Sequence, residues 1–193
     1  MRRTETDSLR IGPRLRAIRR ARGLTLRALA KQTEFSASFL SQAELGQVSP
    51  SLGSLERIAT ALGTSLAGLL SPARTRQGPL IQRRGAPRLR SEWSRATVQS
   101  LLPADTDGHV ELIRITLERT GRTGKHLRPD ASHQLAFCVR GRIAVEVGPT
   151  TYELDEGDSI LVDAGETVVC RNGGRAVAEL LLLTLRSPRR RRS

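Results

Sequence analysis

Residues 25–46 read TLRALAKQTEFSASFLSQAELG, and this stretch decides the fold of the N-terminal part of the chain. Thr25 is a suitable N-cap for a helix whose apolar residues recur at helical spacing, and Ser36 can cap a second helix. Few residues separate the two, so a tight turn must join them. The stretch therefore predicts two short helices, each with one apolar face and one free face.

The flanking sequence predicts three more helices. Pro13 opens a first helix with a glycine stop at Gly23, and Pro50 precedes a fourth that ends at Gly63. A short segment at 66–70 closes the unit. Five short helices with a helix-turn-helix as the second and third resemble the phage-repressor (lambda-repressor-like) or Xre-type DNA-binding domain over residues 11–70.

This resemblance implies which residues read DNA. In that family the third helix lies in the major groove, which makes Ala37, Ser38, Ser41 and Gln42 the implied base-edge readers. Only Gln42 carries a bidentate group suited to adenine. Direct readout by small side chains is thin, so DNA shape or water can carry part of the specificity.

Phosphate contacts are expected beside these readers. They would come from the amino ends of the second and third helices, through Thr25, Arg27 and Ser36. The loop 47–51 would add amides and hydroxyls, with Gln47 and Ser49 as its contact residues. A solvated helix surface is the alternative interpretation of Arg27.

Two further positions follow from the resemblance. An arginine of the first helix pairs with the glutamate that closes the recognition helix in that family, and the matching residues are Arg19 and Glu44. Glu34 occupies the turn position where the family usually has glycine. Either Glu34 adopts a positive φ at a cost of about 1 kcal/mol, or the turn differs here.

Charge is distributed unevenly along the chain, whose net charge is +13. Residues 1–75 carry 12 basic and 5 acidic side chains, whereas residues 96–185 carry 9 and 13. A linker at 71–94 and an arginine-rich tail at 187–193 are also basic. The helical part therefore suits a polyanion such as DNA, and the tail either adds nonspecific phosphate affinity or acts as a solubilising end.

Length and composition indicate two small domains in a cytoplasmic protein. The 193 residues exceed one helical unit by enough for a second core at 95–186. No apolar run reaches membrane-spanning length, and the N-terminus lacks a signal-peptide core. Cys138 and Cys170 are too few and too far apart for a zinc site or a disulfide framework.

Beyond the linker the pattern becomes alternating. Strand-like runs separated by glycine-rich turns lie at 110–117, 135–139, 143–147, 159–162, 167–170 and 176–185, and a further short strand is expected at 80–82. Short strands at this spacing predict a sandwich or barrel.

The turns of this part resemble those of the small single-domain cupin, a jelly-roll β-barrel. Gly141 matches the glycine of the first cupin motif, and Gly157, Gly165 and Asn172 match the second. Asp163 replaces the proline of the second motif. The resemblance implies an α plus all-β chain: a five-helix domain followed by a cupin barrel.

The metal ligands of the cupin motifs are missing. Val168 stands where the resemblance implies a histidine, and Gln134 stands where it implies a glutamate. The resemblance also implies two histidines within residues 127–130, where the chain has none, and His126 lies just outside that register. A metal site needs three or four converging ligands. We therefore expect no metal, no cofactor and no enzymatic activity, and no Ser, His, Asp or Cys constellation suggests another catalytic site.

A pocket can still exist without a metal. Alternation places Gln134, Ala136 and Cys138 on the inner face of one strand, and Val168 and Cys170 on the matching face of a later strand. They would form a mostly apolar pocket with one amide. The alternative is that these residues simply fill a small barrel.

With an Xre-type N-terminal domain and a C-terminal cupin, this chain resembles a class of bacterial transcriptional regulators. The resemblance implies a homodimer that reads a palindromic operator in double-stranded DNA, most simply as a repressor, with the cupin sensing a small-molecule effector or dimerising. A ligand-free dimerisation module is one alternative. The other is a metal-dependent cupin enzyme of the oxygenase or epoxidase type with a helix-turn-helix-like N-terminal domain.

Overall fold

The computed structural model describes residues 11–70, 86–102, 110–124 and 132–186. The first of these ranges forms five helices, and the other three form two β-sheets. The chain therefore consists of a helical domain followed by a β domain, as its sequence predicts. Within the described ranges, no helix is long and apolar enough to cross a membrane.

The helices begin where the capping residues predict. Thr25, Ser36 and Ser51 each accept a hydrogen bond from the backbone amide three residues later. The first helix starts before Pro13, which is tolerated because first-turn amides have no partner within the helix. The helices are α1 (Ile11–Ala21), α2 (Leu26–Thr33), α3 (Ala37–Leu45), α4 (Leu52–Ala61) and α5 (Leu66–Leu70).

One apolar core holds the helices together. Leu15 of α1, Leu29 of α2, Leu40 of α3 and Leu55 of α4 are all buried in it. The helix α1 also approaches α3 very closely at Gly12, where an added Cβ would lie 2.5 Å from the backbone oxygen of Glu44. Only glycine fits at this crossing.

The β domain contains two antiparallel sheets. A six-stranded sheet has the order β1-β2-β3-β9-β4-β7, and a three-stranded sheet has the order β6-β5-β8. Their buried faces share one core. The strands are β1 (Arg88–Ser91), β2 (Ala96–Ser100), β3 (Val110–Leu117), β4 (Ser132–Arg140), β5 (Arg142–Val147), β6 (Thr150–Asp155), β7 (Ser159–Val162), β8 (Val168–Asn172) and β9 (Ala178–Arg186).

Three strands of the structure, β1, β2 and β6, were not predicted from the sequence. The strand β1 lies inside the stretch expected to be linker, so the sheet begins before the predicted boundary at residue 95. The strand β2 is short, and β6 is exposed except at Leu154, so neither shows a strong apolar alternation. The strand expected at 80–82 and the tail at 187–193 lie outside the described residues.

The helical domain is docked on the β domain through backbone amides at the start of α4 and α5. The Leu52 amide donates to Ser94 Oγ at 3.1 Å, and the Gly53 amide donates to the Thr123 carbonyl at 3.0 Å. The Ala67 amide donates to the buried Glu111 carboxylate at 2.6 Å. Three first-turn amides, which have no partners within their helices, are thus satisfied by the β domain.

Candidate DNA-binding surface and barrel interior

The turn between α2 and α3 has an unusual residue in a left-handed conformation. Glu34 has φ 54°, so the glutamate occupies the strained conformation that the sequence raised as one of two alternatives. Its carboxylate forms an ion pair with Arg57 of α4. Arg57 carries no motif signal, and sequence reasoning missed it.

Arg19 and Glu44 form a buried, two-pronged ion pair between α1 and α3. Arg19 Nε lies 2.6 Å from Glu44 Oε1, and Nη2 lies 2.8 Å from Oε2. Arg19 Nη1 also donates to the Leu24 carbonyl at 2.8 Å. Because Glu44 accepts these hydrogen bonds, the pKa of Arg19 is raised above its ordinary value. The pair fixes the C-terminal end of α3 against the body of the domain.

The opposite face of α3 is open. Ser38 and Gln42 are exposed, while Ser41 and Ala37 are half-buried. Ser38, Ser41 and Gln42 follow the i, i+3, i+4 spacing of one helix face. These three side chains share one side of α3, and the role of each side chain as a base reader stays a prediction.

Aromatic side chains pack between α3 and the core of the helical domain. The rings of Phe35 and Phe39 lie 5.0 Å apart, and the Arg57 guanidinium lies 5.0 Å from the Phe35 ring centroid. Leu40 is fully buried beneath them. The helix is therefore held by packing on one side while its other side faces solvent.

The predicted phosphate contacts at the helix starts are exposed, namely Thr25, Arg27 and Ser36. Thr25 Oγ1 accepts from the Ala28 amide at 3.1 Å, and Ser36 Oγ accepts from the Phe39 amide at 3.0 Å. Each hydroxyl proton is still available to a phosphate oxygen. Their DNA contacts stay a prediction.

The loop after α3 differs from the expectation. The Gln47 amide, predicted to face a phosphate, donates instead to the Gln42 carbonyl at 2.8 Å and closes the helix. Ser49 Oγ accepts from the Glu92 amide of the β domain at 3.2 Å. The exposed side chains of Gln47 and Ser49 can still donate to a phosphate, but the Gln47 backbone cannot.

In the β domain, all five predicted pocket residues are buried. Gln134, Ala136 and Cys138 lie on β4, while Val168 and Cys170 lie on β8 of the other sheet, and each is at most 2 % exposed. Burial raises the pKa of the Cys170 thiol to about 12 and also raises that of Cys138. Both thiols are therefore neutral and shielded, which does not suit a thiolate-based redox site.

The polar end of this interior is Gln134. Its Oε1 is buried and makes no hydrogen bond to the described residues. Its partners in strand register are Val162 and Thr184. A buried acceptor without a donor costs about 1–3 kcal/mol.

The described residues contain no cluster of three or more His, Cys, Asp or Glu side chains suited to a metal ion. His126 lies outside the described ranges. His133 lies on the outer face of β4, with Nδ1 3.5 Å from Asp163 Oδ1, and both side chains are well exposed. At the two described positions where the resemblance implies ligands, the side chains are an amide, Gln134, and an alkyl group, Val168.

Comparisons with known proteins agree with the two-domain architecture. Residues 10–70 match a helix-turn-helix domain family, and residues 113–184 match the cupin domain family. The immunity repressor protein of Bacillus phage phi105 is 38% identical over 60 residues. That match covers 31% of this chain and 42% of the phage protein, so the chain spans less than half of that relative.

Among solved structures, an HTH_3 family transcriptional regulator from Vibrio cholerae has a similar fold. It is 22% identical, with a TM-score of 0.69, and the match covers 93% of this chain and 96% of that chain. Fe(II) HppE gives a TM-score of 0.47 at 21% identity, over 93% of this chain and 100% of that chain. These likenesses concern the fold alone.

Proposed function

Because this chain consists of a helix-turn-helix domain followed by a cupin domain, we propose that it is a sequence-specific transcriptional regulator that acts in the cytoplasm. In this proposal it is a homodimer that reads a palindromic operator in double-stranded DNA and represses by occluding a promoter. The cupin domain supplies the dimer contact and binds a small-molecule effector. It performs no catalysis.

The observation that carries the DNA-reading role is the open face of α3. The buried ion pair of Arg19 and Glu44 holds the C-terminal end of α3 on the domain, while Ser38 and Gln42 are exposed to solvent. A rigid helix with a free polar face can enter a major groove without rearrangement. The exposed, Ser36-capped start of α3 also carries the positive end of the helix dipole, which favours a phosphate.

Binding-site selection from genomic DNA fragments tests this role. At about 150 mM salt, where nonspecific phosphate attraction is suppressed, the protein is expected to enrich a short palindrome near promoters. The Ser38→Ala, Gln42→Ala double variant should lose that preference, whereas Gln32→Ala, an exposed glutamine late in α2, should keep it. Selection of no motif, or an unchanged motif in the double variant, would refute reading by α3.

The dimer proposal rests on the outer face of the six-stranded sheet. Phe137 and Leu161 on this face are 38 % and 64 % exposed, and Leu185 is 44 % exposed. Half-buried leucines fill the spaces between them, because Leu135 lies opposite both Leu161 and Leu183 in strand register. The patch runs over β9, β4 and the edge strand β7. A continuous exposed apolar face is typical of an interaction surface, and a second copy can cover it by the same face.

The size of the protein in solution tests this interface. Phe137→Glu combined with Leu161→Glu is expected to convert a dimer into a monomer in analytical ultracentrifugation, because it places buried charges at the interface. Tyr152→Glu is the matched control, since Tyr152 is 46 % exposed on the other sheet. A dimer that survives the double change but not the control change would place the interface elsewhere.

The effector proposal rests on Gln134. A small molecule with a hydrogen-bond donor and an apolar body would satisfy Oε1 and contact the inner faces of β4 and β8. Thermal unfolding in the presence of small amines, amino acids and sugars is expected to show one class that raises the melting temperature. Gln134→Leu should remove that response. If no class stabilises the protein, the cupin acts as a dimerisation module.

The absence of catalysis is tested by elemental analysis. Protein purified after growth in iron-supplemented medium is expected to contain far less than one iron per chain, because Gln134 and Val168 stand at ligand positions. Stoichiometric iron would favour the oxygenase or epoxidase alternative. A promoter fusion in the source organism then tests repression, since deletion of the protein should raise expression.

A further inference from the structure

Two loops of the β domain are attached where the loop that follows the recognition helix runs into α4. The turn between β1 and β2 reaches the loop through the Glu92 amide on Ser49 Oγ, and it reaches the start of α4 through Ser94 Oγ on the Leu52 amide. The segment before residue 124 also reaches the start of α4, through the Thr123 carbonyl on the Gly53 amide. The β domain therefore lies directly beside the loop at 46–51.

Trp93 and Arg122 stand at this junction. Trp93 lies between the two residues of the turn that bond the helical domain, and Arg122 directly precedes Thr123. The Arg122 guanidinium lies 4.8 Å from the Trp93 ring centroid, and the Arg122 amide donates to the Ser94 carbonyl at 2.9 Å. Trp93 is the only tryptophan of the chain and is 55 % exposed. An aromatic ring of this size is thus displayed at the surface, where it supports an arginine.

This stack leaves the arginine free to bind. A guanidinium stacked on an aromatic ring is held by its face, while its N–H groups point outward along its edge. Among the described residues, Arg122 forms no ion pair. The two nearby carboxylates are engaged elsewhere, since Glu92 and Glu118 both pair with Arg90. Arg122 is therefore an oriented cation with unused donors.

The junction also stores backbone strain. Arg95 and Thr120 have φ 46° and 62°, and Arg95 Nη1 donates to Thr120 Oγ1 at 2.9 Å. Left-handed conformations at non-glycine residues cost energy and persist only where the surrounding structure holds them. The turn and the 120–124 segment are thus held in one arrangement that keeps Arg122 beside the DNA-binding domain.

We propose that Arg122, oriented by Trp93, forms a second DNA contact from the cupin domain, to a backbone phosphate flanking the half-site read by α3. The inference rests on the proposed DNA-binding function. A recognition helix in the major groove brings the loop that follows it next to the sugar-phosphate backbone. Arg122 directly precedes Thr123, whose carbonyl accepts from the Gly53 amide just after that loop. The phosphate contact positions the domain and carries no base information.

The test compares Arg122→Gln with wild-type protein on DNA at several salt concentrations. The variant is expected to bind about tenfold more weakly per half-site, because it loses a charge-assisted hydrogen bond. The slope of log affinity against log salt should fall by about 0.9 per lost contact. The loss should be equal on operator and random DNA, and it should vanish on operator duplexes trimmed flush with the half-sites.

Arg175→Gln is the matched control. Arg175 is exposed and lines a surface cleft with Arg142 and Asp155, on the β5 side of β8, whereas Arg122 lies on the other side of β8. It should leave affinity and slope unchanged. Trp93→Leu is a second variant and should lose part of the affinity, since Arg122 is then free but not oriented. Unchanged melting temperatures would show that all three variants are folded.

The two proposals fail in different ways. Wild-type affinity and salt slope in Arg122→Gln would overturn the cupin contact while leaving reading by α3 intact. Conversely, a wild-type protein without sequence preference would refute the proposed regulator, yet a lower slope for Arg122→Gln on random DNA would still support the phosphate contact. A protein that binds no DNA would refute both.

Discussion

The buried pair Arg19 and Glu44 gives the sharpest stability prediction. Arg19→Met removes the cation and its three hydrogen bonds, and it leaves the Glu44 carboxylate, whose side chain is only 6 % exposed, without its charge partner. Breaking a buried ion pair on one side typically costs about 3–5 kcal/mol. Little solvent reaches the pair to screen it, so we expect a loss of about 3–4 kcal/mol in the free energy of unfolding.

Urea unfolding followed by circular dichroism at 222 nm measures this loss. Arg20→Met is the control, because Arg20 is exposed on the same helix and should change stability by at most about 0.5 kcal/mol. The double variant Arg19→Met, Glu44→Leu should recover most of the loss, since an apolar pair needs no counter-charge. A loss below 1 kcal/mol in Arg19→Met, equal to that of Arg20→Met, would refute the reasoning.

Three further outcomes are expected. Gly12→Ala should lower the free energy of unfolding in urea by about 2–3 kcal/mol, because its Cβ would lie 2.5 Å from the fixed backbone oxygen of Glu44. Cys138 and Cys170 should not react with a thiol reagent in folded protein at pH 8, and both should react in urea. Because burial raises the pKa of Cys170 to about 12, only thiols of the unfolded chain ionise above about pH 9, so the free energy of unfolding should fall as pH rises beyond that value. Thr123→Val should cost about 1–3 kcal/mol and speed hydrogen exchange at the Cys170 amide, which donates to Thr123 Oγ1 at 3.0 Å; exchange at the wild-type rate would show that the bond contributes nothing.

The helical domain was predictable because its signals are local. Thr25, Ser36 and Ser51 mark helix starts through a side chain and an amide only three residues away. The strands were less predictable where burial is one-sided or small. The strand β6 buries only Leu154 among its six residues, so its apolar pattern is too weak to mark a strand.

The candidate site likewise contains residues that local spacing predicts and residues that it does not. The exposed face of α3 follows from helical spacing within a few residues, and so does the inner face of β4. The contacts of Glu34 with Arg57 and of Trp93 with Arg122 do not follow from local spacing, because the partners lie at least 23 residues apart along the chain. Contacts of that kind depend on how elements pack, and a single sequence carries no local pattern for them.

The docking of the α4 start on Ser94 and Thr123 has a consequence for operator architecture. In the proposed dimer, each helix-turn-helix domain is bonded to its own barrel, so the distance between the two α3 helices would follow from how the two barrels meet. Substitutions around Phe137 that rotate one barrel against the other would retune half-site spacing while α3 keeps its base preference. In the proposed regulator, the base preference would therefore be set by α3 and the half-site spacing by the cupin domain, and each could change without the other.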